Sequence, residues 1–361
     1  MYVITNRRVD ENGTGLEQFG KTPNEKGNNE LRLARVTRRG RGYAVEFLED
    51  VLDPARAREL IDEFELDLNA DETQYASLEV ACETVRRARE HKRHILLYVH
   101  GYNNDMRDVM QTAFDLEARY EVEVLAFSWP ANGGGVGGKL SYLSDKRDAR
   151  ASTGALERTL KKLHEYLMLI SESSRIALRE KARSKFPDNA ERRDALYAEL
   201  LRKDCPFTIN ALFHSMGNYL YKQMLKSSIN EGNALIFDNV VLCQADTNNA
   251  GHPNWVDNIA HNRRVFVTIN ENDFALRLSR IKPGDAQRAR LGHYIKRLES
   301  RVAHYVNLTE ASWVQQSHSP FADPTRKNDK LRNFFRRAFT GEPAEESLRY
   351  RPEGNWYELP R

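Results

Sequence analysis

Residues 207–225, FTINALFHSMGNYLYKQML, read as an apolar strand, an abrupt His-Ser-Met-Gly and a helix, which puts Ser215 on a sharp strand-to-helix turn. A serine there stands above the strand end while the following helix aims its amino terminus at the same point. Such a hydroxyl suits attack on a carbonyl, with the Met216 N–H meeting the developing oxyanion. Gly217 supplies the small residue needed after the turn. The small residue usual two positions before the serine is replaced by Phe213, whose bulk is expected to crowd the junction of strand and helix.

Upstream, the apolar run HILLYV leads into His100-Gly101-Tyr102-Asn103-Asn104. Glycine at 101 permits a tight departure from the strand and directs the Tyr102 N–H towards the same oxyanion position. The HG after a strand and the SMG before a helix, one strand-helix unit apart, are more specific together than alone. His100 and His214 flank the glycine and the serine and read as supports rather than reacting groups. Trp129 and Pro130 read either as the wall of an acyl pocket or as ordinary core and turn residues.

These groups need a sheet to hold them. Runs of β-branched and aromatic residues fall at 2–5, 43–48, 95–99, 122–127, 207–213, 240–243, 265–269 and 302–308, with helical patterns between most of them from residue 95 onward. Several central runs are apolar almost throughout, as parallel strands covered on both faces are, so the pattern predicts a doubly wound, mostly parallel α/β sheet. Polar, glycine-containing sequence at 10–29 and the basic RRGRG at 38–42 predict loops or hairpin turns and an antiparallel edge. Residues 1–90 are expected to join the core at 91–340 as one domain, followed by a polar tail at 341–361. Two stretches interrupt the alternation. ANGGGVGGKL at 131–140 lacks the GK[ST] ending of a phosphate loop and reads as a flexible loop. Residues 171–201, dense in both charge signs, read as a solvated helical face or as a cap over the serine.

Composition narrows the function classes. Hydrophobic residues make up 40% and charged residues 30% of 361, and the net charge of +3 makes no case for nucleic acid. Neither the amino terminus nor any later segment has the apolar length of a signal peptide or a membrane helix. Cys82, Cys205 and Cys243 lack zinc or disulfide spacing, so Cys82 and Cys243 are expected in the core and the cytoplasm is the expected compartment.

The chain resembles a bacterial, largely uncharacterised branch of the α/β-hydrolase superfamily that carries HGYN, FSWP and HSMG, here residues 100–103, 127–130 and 214–217. Tyr142, Asp145, Ala149 and Ser152 fall at similar spacings, and the likeness continues through NDFAL at 272–276, RLG at 290–292 and HSPF at 318–321. It covers roughly residues 90–325. The resemblance implies the α/β-hydrolase fold and a nucleophile, acid and base in the chain order Ser, Asp, His. Asp273 after RVFVTIN and His318 after the last strand fit the acid and the base. Asp273 also reads as a helix N-cap, and Asp246, after another strand, is its rival. His293 and His304 have less suitable placements than His318. The implied chemistry is ester hydrolysis through an acyl-serine, without metal or organic cofactor, on a small-molecule ester or a lipid. The reading from another class is a non-catalytic scaffold that binds a partner, which Phe213 favours.

Overall fold

The computed structural model describes residues 1–131, 140–187, 189–204, 207–227, 235–280 and 289–360. Cys205 and the glycine-rich residues 133–138 lie outside them. The chain opens with strands β1 (Tyr2–Thr5), β2 (Arg7–Val9), β3 (Phe19–Pro23), β4 (Arg32–Arg39) and β5 (Gly42–Phe47), then helices α1 (Pro54–Glu63) and α2 (Ala76–His91). Alternation follows: β6 (His94–Val99), α3 (Met106–Tyr120), β7 (Val122–Ser128), α4 (Leu140–Ala151), α5 (Thr153–Lys185) and α6 (Ala190–Asp204). Next come β8 (Ile209–His214), α7 (Met216–Leu225), β9 (Asn239–Cys243), α8 (Pro253–Val256), β10 (Arg264–Ile269) and α9 (Phe274–Ser279). The chain ends with β11 (Ala303–Asn307), α10 (Asp329–Phe339), β12 (Arg349–Arg351) and β13 (Trp356–Glu358).

One 11-stranded sheet runs β12-β13-β11-β10-β9-β8-β6-β7-β1-β4-β5. It is parallel from β13 to β1, with β12, β4 and β5 antiparallel at the two edges. The core strands are apolar throughout because successive side chains serve opposite faces. Leu97, Val99, Phe213, Leu242 and Val267 pack under α5 and α7. Leu96, Tyr98, Leu212, Val241 and Phe266 pack under α3 and α10. The antiparallel edge expected near the amino terminus is β4 and β5, with Gly40 and Arg41 turning between them. The tail is not a loose appendage: β13 pairs with β11 and carries the sheet two strands further. Cys82 and Cys243 are free and buried, and burial pushes the Cys82 thiol up to about 12.

Strand order reverses at β6, which lies between β8 and β7, so the chain leaves in opposite directions from the carboxyl ends of β6 and β8. Crevices for ligands form at such switch points in open α/β sheets. His100-Gly101 follows β6 and Ser215 follows β8, so both motifs open on this crevice.

The segment at 171–201, read from sequence as a solvated face or a cap, lies away from the serine. With 33 residues, α5 spans about 50 Å at 1.5 Å per residue, against about 20 Å for six-residue β8. Ala155, Leu156 and Leu160 pack with Phe127 and Trp129 near the carboxyl end of β7. Further along, Ile170 packs with Ile95, Phe207 and Ile209 at the amino ends of β6 and β8. Residues 171–201 therefore project past the sheet edge opposite Ser215, where α6 folds back on α5. Of the two readings of this segment, the solvated helical face fits its position and the cap does not.

Candidate functional site

Ser215 holds φ 53° and ψ −118°, a conformation that a non-glycine residue adopts only when its surroundings impose it. The surroundings are specific. Ser215 N–H donates to the Cys243 carbonyl (3.0 Å), and Asp246 N–H donates to the Ser215 carbonyl (3.2 Å). Asn218 Nδ2 donates to the carbonyls of Phe213 (2.8 Å) and Ser215 (3.1 Å), holding both limbs of the turn. Two glycines let the loops close up. A Cβ on Gly101 would lie 2.7 Å from Ser215 Cβ, and one on Gly217 would lie 2.8 Å from the Val99 and His100 carbonyl oxygens. The Ser215 side chain makes no cap bond to α7, and Met216 opens that helix, so its N–H has no intrahelical acceptor.

Phe213 does not crowd this turn. Its buried ring points into the core and stacks on Tyr221, centroids 3.9 Å apart and planes 7° from parallel. Phe213→Ala is accordingly expected to cost about 3–5 kcal/mol of stability, as deletion of a buried aromatic ring does, measured by urea unfolding. A loss under 1 kcal/mol would mean that the stack carries little.

His100 is buried and neutral. Burial first, and the Arg7 charge second, lower it from 6.5 to about 3. Its Nδ1–H donates to the Gly101 carbonyl (2.8 Å), leaving Nε2 to accept the Trp129 N–H (3.2 Å). Trp129 returns a bond from Nε1 to the His100 carbonyl (3.0 Å) and stacks on the imidazole. Trp129 is fully buried, so it braces the loop rather than walling an acyl pocket. Tyr102 is half-buried, and the next N–H, of Asn103, donates to buried Asp145 Oδ2 (3.2 Å). The side chain of Tyr142 lies outside the described residues.

Asp273 combines the two roles weighed from sequence. Fully buried, it caps α9 by accepting Leu276 N–H at Oδ1 (3.0 Å), while Oδ2 lies 2.7 Å from His318 Nδ1. Gln244 Nε2 reaches the same Oδ2 at 3.4 Å. The His318 loop is pinned at its backbone. Asn270 Nδ2 donates to the carbonyls of Gln315 (2.9 Å) and Ser317 (3.2 Å), and His214 Nε2–H donates to that of His318 (2.8 Å). Burial, then the neighbouring His318, lowers His214 to about 3, so it stays neutral. No hydrogen bond joins Ser215 Oγ to the His318 ring. The contact between the two loops runs instead through His214.

Asp246 is engaged elsewhere. Its Oδ1 accepts from Ser279 Oγ (2.6 Å) and pairs with Arg290 Nε (3.1 Å), both partners being buried. Arg290 is the arginine of the RLG motif and also donates to Asn248 Oδ1 (2.7 Å). Both ring nitrogens of His293 are buried without a hydrogen-bond partner, and His304 Nε2 faces Glu345 Oε1 at 3.9 Å. A groove of about 670 Å³ lined by Leu33, Val80, Ile95 and Leu163 contains none of the candidate residues. Among the described residues, no cluster of His, Cys, Asp and Glu could hold a metal ion, and no helix is long and apolar enough to cross a membrane.

Sequence reasoning missed Gln244, Asn218 and Arg7. Gln244 had a signal, since it directly follows an apolar strand at the carboxyl edge. Asn218 and Arg7 had none, because only the fold brings their partners together.

A parallel sheet wound on both faces, with a strained serine at its switch point, is the architecture of an α/β hydrolase. The chain belongs to the family described as "Alpha/beta hydrolase of unknown function (DUF900)", whose model matches residues 78–171 and 190–327. The unmatched interval falls on the second half of α5 and the turn into α6, where the helices overshoot the sheet. No curated protein and no solved structure matched the chain.

Proposed function

We propose that the protein hydrolyses carboxylic esters through a covalent acyl-serine, as the bacterial HGYN/FSWP/HSMG branch of the superfamily that it resembles would. Ser215 attacks the carbonyl, His318 takes its proton and later delivers it to the leaving group, and Asp273 fixes the imidazole tautomer. The N–H groups of Tyr102 and Met216 receive the oxyanion. The observation that carries this reading is the 2.7 Å bond between Asp273 and His318, held on the same side of the sheet as the strained Ser215. In this reading the serine–histidine bond forms as substrate binds, since such bonds are often long in unliganded sites. Lipid esters are a substrate variant of the same chemistry, and the free thiols of Cys82 and Cys243 suit the cytoplasm.

The absence of a hydrogen bond between Ser215 Oγ and the His318 ring, whose Nδ1 bonds Asp273 alone, favours a second reading, a binding scaffold on a hydrolase fold. A fluorophosphonate probe separates the two, because it reacts only with a serine activated by base and oxyanion hole together. One labelled peptide, containing Ser215, is the expected result. A folded protein that neither labels nor hydrolyses p-nitrophenyl esters is the scaffold.

A further inference from the structure

Arg7 is the anomaly of the molecule: a guanidinium 1% exposed, bonded only to uncharged groups. Its Nε donates to Ser128 Oγ (2.8 Å), Nη1 to the carbonyls of Gly20 and Ala131 (3.2 Å each), and Nη2 to the carbonyl of Asn104 (3.0 Å). Burying a charge without a paired carboxylate is expensive, and burial lowers this guanidinium to about 10 against the favourable but more distant charges of Asp105 and Asp145. A surface arginine would serve stability better, so the position calls for another explanation.

The bonds converge on one place. Asn104 closes the loop that begins at His100, and Ser128 Oγ lies 3.2 Å from His100 Nε2. Ala131 directly follows the FSWP segment whose Trp129 grips the His100 carbonyl. From the opposite side Asp145 holds the Asn103 N–H, and Asn104 Nδ2 donates to the Tyr102 carbonyl. Gly101 in this loop touches Ser215. No other side chain offers five N–H donors in a rigid plane, and reaching four acceptors on three segments from one buried point needs that geometry. Arg7 lies outside the residues matched by the family model, so a residue from before the matched interval buttresses motifs within it.

We propose that Arg7 is a positioning residue that fixes the loop 100–104 against the Ser215 turn and thereby places the Tyr102 N–H at the oxyanion. The proposal rests on the hydrolase reading for its catalytic consequence, but not for its effect on the loop.

The test uses Arg7→Lys, which keeps the charge and loses the planar fork, with Ser128→Ala as a milder second variant. Three quantities are measured on the full chain: kcat and KM for a p-nitrophenyl ester, affinity for an arylboronic acid that forms a tetrahedral adduct on serine, and hydrogen exchange of the peptide spanning 100–105. In folded Arg7→Lys, kcat and boronate affinity are expected to fall together by about 10²-fold, the effect of a displacement near 1 Å. KM is expected to stay, and exchange to quicken in 100–105 while the sheet remains protected. Ser128→Ala is expected to show the same pattern at about tenfold, since it removes the acceptor of Arg7 Nε, a hydrogen bond to a charged group, together with the weaker contact to His100 Nε2. It decides the matter if Arg7→Lys does not fold. Parental kcat, boronate affinity and exchange in a folded variant would overturn the proposal. If the parent is inert to ester, boronate and fluorophosphonate, the hydrolase reading fails by itself, and exchange in 100–105 alone decides whether Arg7 fixes the loop.

Discussion

Ser215→Ala is expected to lower ester turnover about 10⁶-fold, the scale on which a serine hydrolase loses activity with its nucleophile, and to erase fluorophosphonate labelling. The substitution removes only Oγ. The turn is held by the Cys243 and Asp246 backbone and by Asn218, none of which bonds the hydroxyl, so the fold is expected to persist. His318→Ala should match it in labelling, because a hydroxyl of ordinary acidity is a poor nucleophile without its base. Steady-state rates, probe labelling and urea unfolding on the same preparations check this. Hydrolysis at the parental rate in Ser215→Ala would falsify the acyl-serine mechanism.

Asp273→Asn is expected to reduce kcat about 10⁴-fold, as loss of the tautomer-fixing carboxylate does elsewhere. Asparagine at 273 can still accept the Leu276 N–H and cap α9, which directs its amide N–H at His318 Nδ1 and forces the wrong tautomer. Asp246→Asn is the control. It leaves Arg290 buried with its ion pair broken, which is expected to cost about 3–5 kcal/mol of stability while kcat of the folded protein changes far less. One variant therefore moves the rate and the other the unfolding midpoint. The reverse assignment would make Asp246 the acid.

That contrast also marks how far the sequence is legible. The central strands announce themselves because both faces are covered and every residue is apolar. Strand β4 hides because only Ala34 and Val36 of LRLARVTRR are buried, so its alternation is drowned by arginines. The tail strands RYR and WYE hide because each is three residues long and none of their side chains is buried enough to set up an alternation. At the site, the turn around Ser215 can be read locally, since strand, glycine and helix are contiguous. Asp246 and Asp273 cannot be told apart that way: each follows a parallel strand, and what separates them is Arg290 at one and His318 at the other. Arg7 was invisible, because an arginine beside a second arginine reads as surface and its acceptors are spread as far as Ala131.

The two neutral imidazoles that brace the site set a limit of another kind. His100 and His214 bind protons near pH 3 in the native protein and near 6.5 once unfolded, so the unfolded chain takes up more protons between those values. Their stabilising contribution is complete above about pH 6.5 and drains away as pH falls towards 3, with a slope approaching two protons. Urea midpoints at pH 7.5, 6 and 5 are expected to drop progressively; a flat series would mean that both rings meet solvent. Protonated His100 also loses the lone pair that accepts the Trp129 N–H, so acid slackens the crevice and the sheet in one event.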